Sequence, residues 1–245
     1  MASQSLDDGK KEENEKIEEV LKMKNKRLMG IIGLIAATVI GTAIYSATAG
    51  KDNKAASSNE KAKVGVLQLV SHPSLDLIYK GIQDGLAEEG YDKDKVDIDF
   101  LNAEGDQNKV ATMSKQLVDK DNQVLIGIAT PSAQGLASAT KDKPIVMGAI
   151  TDPVGANLVK DLKKPGGNIT GVSDHNPTEQ QLKLIKELTP NVKTIGALYS
   201  TSEDNSKSQV EEFTKLAEKA GFKVIPYSVP STNEVASTVS VMTGK

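Results

Sequence analysis

Residues 64–90 read VGVLQLVSHPSLDLIYKGIQDGLAEEG, and their pattern decides the fold. Val64–Val70 is an apolar run of strand length, suited to burial on both faces. Ser71-His72-Pro73-Ser74 breaks it with turn and cap residues. Helical spacing follows, with Leu75, Ile78, Tyr79, Ile82 and Leu86 at i, i+3, i+4, i+7 and i+11. Gly90 ends that helix, because glycine just past a last turn takes the left-handed conformation without steric cost. A buried strand feeding an amphipathic helix is the first part of a βαβ unit.

Reading toward the C-terminus, the unit repeats. Val96–Leu101 alternates as a strand, with Val96, Ile98 and Phe100 on one face, and Val110, Met113 and Leu117 mark a second helix. Val124–Ala129 and Ile145–Ile150 are apolar strands separated by a short helix through Ala133–Ala139, and Ile169–Val172 reads as an edge strand. Such alternation, with strands apolar throughout, requires a parallel sheet covered by helices on both faces. The alternation then starts again. Asn176-Pro177 with Glu179 reads as a helix start with a capping box, and Leu182, Ile185 and Leu188 supply its buried stripe. Thr194–Tyr199 is a strand. Ser206 with Gln209 reads as the next cap, before Val210, Phe213, Leu216 and Ala220, and Lys223–Val229 is a further strand. Ser231 with Glu234 begins a last helix. Two interior strands leave apolar edges without neighbours, so the second unit is expected to be incomplete within these residues. The expectation is an α/β protein of two doubly wound parallel-sheet lobes, 64–173 and a partial 174–245.

Reading toward the N-terminus, residues 51–63 (KDNKAASSNEKAK) have no apolar periodicity and read as a linker. Within 23–50, Lys24, Lys26 and Arg27 precede an uncharged apolar run from Leu28 to Gly50 that ends in Ala47-Thr48-Ala49. A basic flank, an apolar stretch and a small-residue ending form a secretory signal, and the run is also long enough to stay as a membrane anchor. Either way the domain is expected outside the cytoplasm: on the cell surface, membrane-associated or secreted. Residues 1–22 are a polar, charge-dense leader expected to be disordered.

Composition narrows the chemistry. The chain has 38% hydrophobic and 26% charged residues and a net charge of −3, which gives no electrostatic reason to expect nucleic acid. Cysteine is absent, which excludes a disulfide framework, a thiol nucleophile and a lipidated cysteine. Arg27 is the one arginine, so an anion bound by the folded part must meet backbone N–H groups, hydroxyls or lysines rather than a guanidinium fork. No nucleophile elbow, phosphate loop, dinucleotide fingerprint or zinc-binding helix motif occurs, so neither an enzyme nor a cofactor is expected.

Ligands of doubly wound sheets bind at the carboxyl ends of the strands. There the sequence places Ser71 and His72 after the first strand, Thr130, Pro131, Ser132 and Ala133 after the third, and Thr151 and Asp152 after the fourth. Ser173 and Asp174 follow the edge strand, and Tyr199 and Asn205 flank the end of the first strand of the second unit. Thr130-Pro131-Ser132 opens a helix and is the candidate for an anion, because free N–H groups and the helix dipole converge there. Asp152 and Asp174 are the candidates for an ammonium, and Tyr199 for an apolar wall. All these residue types also serve as ordinary turns and caps. His72 and His175, the two histidines, allow a metal site with nearby aspartates only as an alternative, since metal clusters bring more histidine or tighter spacing.

The segments ATPSAQ (129–134), GAITDPVGANLV (148–159), KKPGGNITGVSD (163–174) and EQQLKLIKELTPNVKTIGALYS (179–200) resemble the substrate-binding proteins of ABC importers, in the branch associated with tryptophan and tyrosine transport. The resemblance runs from about Val64 to the end. It implies two α/β lobes around a hinge, periplasmic-binding-protein-like, closing on a small amino acid that is delivered to permease subunits, with membrane contact through the N-terminal apolar segment where that segment is uncleaved. An aromatic amino acid would meet few aromatic walls here, since aromatic residues are 3% of the chain. A membrane-tethered ligand sensor on the same fold, or a solute-binding protein for a metal, are the alternatives.

Overall fold

The computed structural model describes residues 61–244. The leader, the apolar run 28–50 and most of the linker lie outside the described residues. Among the described residues, no helix is long and apolar enough to cross a membrane.

Five strands, β1 (Ala62–Gln68), β2 (Val96–Asn102), β3 (Val124–Ile128), β4 (Ile145–Ile150) and β5 (Ile169–Ser173), form one parallel sheet in the order β2-β1-β3-β4-β5. The chain starts inside the sheet, steps out to β2 and then returns across β1 to β3. Right-handed crossovers on either side of that reversal put helices on opposite faces. Helix α1 (Pro73–Glu88) covers one face, with Ile82 and Leu86 packed on Val64, Val66, Val124, Ile126 and Ile128. Helices α2 (Gln107–Asp119) and α3 (Thr130–Ala139) cover the other, with Val110, Leu117 and Leu136 on Leu67, Leu125, Ile145 and Met147. Strand residues alternate between the two cores. That is why β3 is buried at every position, each large side chain contributing roughly 1.5–3 kcal/mol relative to exposure.

Local chemistry fixes the helix ends. His72 caps α1, its Nδ1 accepting the Ser74 N–H at 3.2 Å, and Pro73 follows where no N–H is needed. Gly90 closes the helix at φ +86°. Asp106 caps α2 by accepting the N–H groups of Asn108 and Lys109. Helix α3 has no side-chain cap, and its cap residue Ala129 is held at φ 72°, ψ 156°, a region that side chains strongly disfavour. The start of α3 lies so close to β3 that a Cβ on Gly127 would stand 2.6 Å from Ala133 Cα.

The second sheet has two parallel strands, β6 (Thr194–Ser200) and β7 (Lys223–Val229). Helices α4 (Thr178–Leu188) and α5 (Asp204–Lys219) close a small core of Leu182, Ala217 and Phe222. A 3-10 turn (Thr232–Glu234) leads into α6 (Val235–Thr243), and Ser231 and Glu234, read as the start of this helix, form a capping box. Several details differ from the sequence reading: Leu188, expected in the buried stripe of α4, is exposed, and β3 ends at Ile128 with α3 starting at Thr130. Strand β1 stops at Gln68, because Leu69 and Val70 already turn toward α1. Asn176 does not cap α4: Pro177 holds the cap position without a side-chain bond, and the Asn176 amide reaches α5 instead. Ser206 lies inside α5, which starts two residues earlier at Asp204.

Candidate ligand-binding site

Ten of the twelve expected residues stand along the carboxyl edge of the five-stranded sheet, since parallel strands deliver all their following loops to one edge. The strand order reverses between β1 and β3, and the loops there carry the two best-defined groups. Ser71 is exposed, its Oγ accepting the Asn102 Nδ2 of β2 at 3.1 Å, and His72 is exposed and engaged in its cap. Thr130, Pro131, Ser132 and Ala133 are buried as the first turn of α3. The first N–H groups of that turn have no partner within the helix, and Ala129 offers none. Ser132 is 0% exposed and its Oγ has no hydrogen-bond partner.

The next two strand ends are turn-like. Asp152 Oδ1 accepts the Gly155 N–H at 2.8 Å and so holds the turn after β4. Ser173 Oγ donates to the Thr151 carbonyl at 3.4 Å, tying the β4 and β5 loops together. Asp174 is exposed, and its backbone N–H donates to the Ile150 carbonyl.

The other two residues come from the second sheet. Tyr199 is half-buried near the end of β6, on the strand face it shares with Ile195, which packs in the α4–α5 core. Asn205 lies in the first turn of α5 with a buried Oδ1 that lacks a partner. Side-chain amides bring α5 against the first sheet. Gln134 Nε2 of α3 donates to Asp204 Oδ2 at 3.0 Å and to the Ala156 carbonyl at 3.2 Å. Asn176 Nδ2 donates to Gln209 Oε1 at 2.5 Å, and Gln209 Nε2 to Thr151 Oγ1 at 3.4 Å. The Gln134 amide, and then Lys207, hold the Asp204 carboxyl below the usual carboxylate range. Beside these contacts lies a hollow of about 440 Å³ lined by Thr151, Asp152, His175, Gln209, Glu211 and Glu212 among others. It reaches two of the expected residues and leaves out the α3 turn.

The sequence reading missed the amides. Gln134 and Gln209 sit on helices whose polar faces look like any solvated surface. Gln68 had a signal, a glutamine at the end of an apolar strand. It is 0% exposed, with Nε2 donating to Asp76 Oδ1 at 2.7 Å and to the Val70 carbonyl at 2.9 Å, while its Oε1 has no partner. Among the described residues, no group of three or more His, Cys, Asp or Glu side chains is placed to hold a metal ion.

An open parallel sheet whose switch-point edge carries an uncapped helix N-terminus, faced by helices of a second parallel sheet, defines a periplasmic-binding-protein-like α/β protein. The chain belongs to the ABC transporter substrate binding protein family, whose family model matches residues 63–245. It is similar to the tyrosine-binding protein of Clostridioides difficile (strain R20291), 40% identical over 223 residues, 88% of this chain and 65% of that protein. Among solved structures it resembles an ABC domain from Streptococcus pneumonia in complex with L-Trp, with 76% identity and a TM-score of 0.75 over 76% of this chain and 63% of that one. It also resembles the ligand-free, open structure of a substrate binding protein with adhesive properties from Clostridium difficile, at 41% identity and a TM-score of 0.55 over 75% of this chain and 62% of that one. The chain thus spans less than two thirds of the length of these relatives. Members of the family bind substrates for transport and are not enzymes.

Proposed function

We propose that this protein is the extracytoplasmic solute-binding component of a bacterial ABC importer, taking an aromatic amino acid such as tryptophan or tyrosine between two lobes, 64–173 and a second of which 174–245 is a part, and presenting it to the permease. The observation that carries the reading is the first turn of α3. Free N–H groups, a buried Ser132 hydroxyl without a partner and no arginine describe a seat for a carboxylate built from backbone and hydroxyls. Asn205, in the first turn of α5, carries an unpartnered acceptor, Oδ1, available to a donor of the ligand. Asp152 and Asp174, at the next strand ends, supply negative charge for the ammonium, and Ser71, His72, Thr130, Thr151 and Ser173 supply polar contacts around the edge. Pro131, Ala133 and Tyr199 offer apolar surface for the side chain. The tyrosine-binding relative and the L-Trp complex support an aromatic ligand.

Calorimetry against the twenty amino acids tests the reading. The expected result is heat with L-tryptophan or L-tyrosine, and silence with all twenty rejects it. Asp152→Asn and Asp174→Asn separate the two carboxylates. The one that faces the ammonium should cost roughly 1.5–3 kcal/mol of affinity on substitution, the range for a hydrogen bond to a charged group.

A further inference from the structure

We infer that Gln68 is an anchor for the ammonium group of the bound amino acid, with Asp76 as the positioning residue that orients its amide; the inference rests on the amino-acid reading above. Gln68 ends β1, level with Asn102 on β2 and Ile128 on β3, so it stands where the strand order reverses. Both amide hydrogens are committed, one to the Asp76 carboxylate in the first turn of α1 and one to the Val70 carbonyl in the loop that carries Ser71 and His72. Turning the amide over would set its oxygen against two acceptors, so the orientation is fixed by chemistry. What remains is Oε1, wholly buried and without a donor. A buried acceptor left unpaired is a rare and costly arrangement in a folded protein.

The missing partner must be a donor. A donor with positive charge is favoured, because donation to a carboxylate concentrates electron density on the far oxygen of the amide. The two aspartates leave room for a further acceptor, since an ammonium donates three hydrogen bonds. Asp152 spends Oδ1 on the Gly155 turn, and Asp174 stands in solvent. Gln68 and the first turn of α3 lie on the adjacent strand ends of β1 and β3, so one α-amino acid can present its ammonium to the first and its carboxylate to the second.

The test compares L-tryptophan with indole-3-propionate, which keeps the ring and carboxylate but has hydrogen in place of the ammonium. Affinities are measured for the full-length protein, for Gln68→Leu and for Asp76→Asn. The wild type is expected to prefer tryptophan. Gln68→Leu should weaken tryptophan at least tenfold and change indole-3-propionate less than threefold, so the preference falls at least about threefold. Its unliganded melting temperature should drop, because the bonds to Asp76 and the Val70 carbonyl are lost along with the unpaired oxygen, so affinities are read well below that melt. Asp76→Asn lies on an exposed position and leaves folding intact should the first variant misfold. Its neutral carboxamide removes the charge behind the Gln68 amide and allows that amide to turn over, so the preference for tryptophan should fall here too. An unchanged preference in both variants, with tryptophan still bound, means that a water or nothing meets Oε1 and overturns this inference alone. A wild type that binds no amino acid removes the functional reading and this inference with it.

Discussion

Ala129 is the residue where the site and the fold pull against each other. Its φ of 72° with ψ of 156° belongs to a region that glycine occupies freely and alanine does not. The contortion is imposed by β3 running directly into the α3 turn, which aims the first N–H groups of the helix at the edge of the sheet. Ala129→Gly should therefore stabilise the unliganded protein by about 1 kcal/mol, the lower end of the cost of such strain, seen as a rise of a few degrees in a thermal melt. If the strained turn is what pre-positions the donors, the same substitution should weaken the amino acid, and calorimetry reads both effects on one sample. A melt that falls instead would mean that the surroundings hold Ala129 without strain. Nothing in the sequence marked this residue, because a backbone conformation forced by tertiary packing leaves no trace in residue type.

At the scale of elements, the two sheets differ in how deeply they are buried. Strand β3 has no exposed position, whereas β6 has none that is fully buried and β7 only Val229. Amide hydrogen exchange follows local burial and packing, so β1, β3 and β4 are expected to exchange much more slowly than β6 and β7. Equal protection across both sheets would contradict that. The strands and helices of both sheets were legible because their apolar periodicity is strong, and Lys223–Val229 and Ile145–Ile150 match their expected bounds. The caps were legible only where a side chain does the capping. Ser231 and Glu234 fulfilled theirs, while Asn176 was drawn away to Gln209 by a contact 33 residues distant. The same long-range amides explain the incomplete reading of the site. Hydroxyls and acids at strand ends announce themselves, but Gln134 and Gln209 acquire meaning only when the fold brings partners to them.

At the scale of the whole molecule, the proposed importer role requires the described domain to lie outside the cytoplasm. Protease added to intact cells should digest it, and complete protection would place it inside and remove the role. The contact between the two sheets bears on how such a protein works. It includes two amide-mediated links, Gln134 to Asp204 and Gln209 to Thr151. Hydrogen bonds of this kind net about 1 kcal/mol each once their exchange with water is counted. Together they bias the arrangement of the two sheets by about 2 kcal/mol, or roughly thirtyfold in population. A bias of that size is small enough for a ligand to reverse if it prefers one arrangement by a few hundredfold, so the mutual arrangement of the two sheets is a quantity that amino-acid concentration can set.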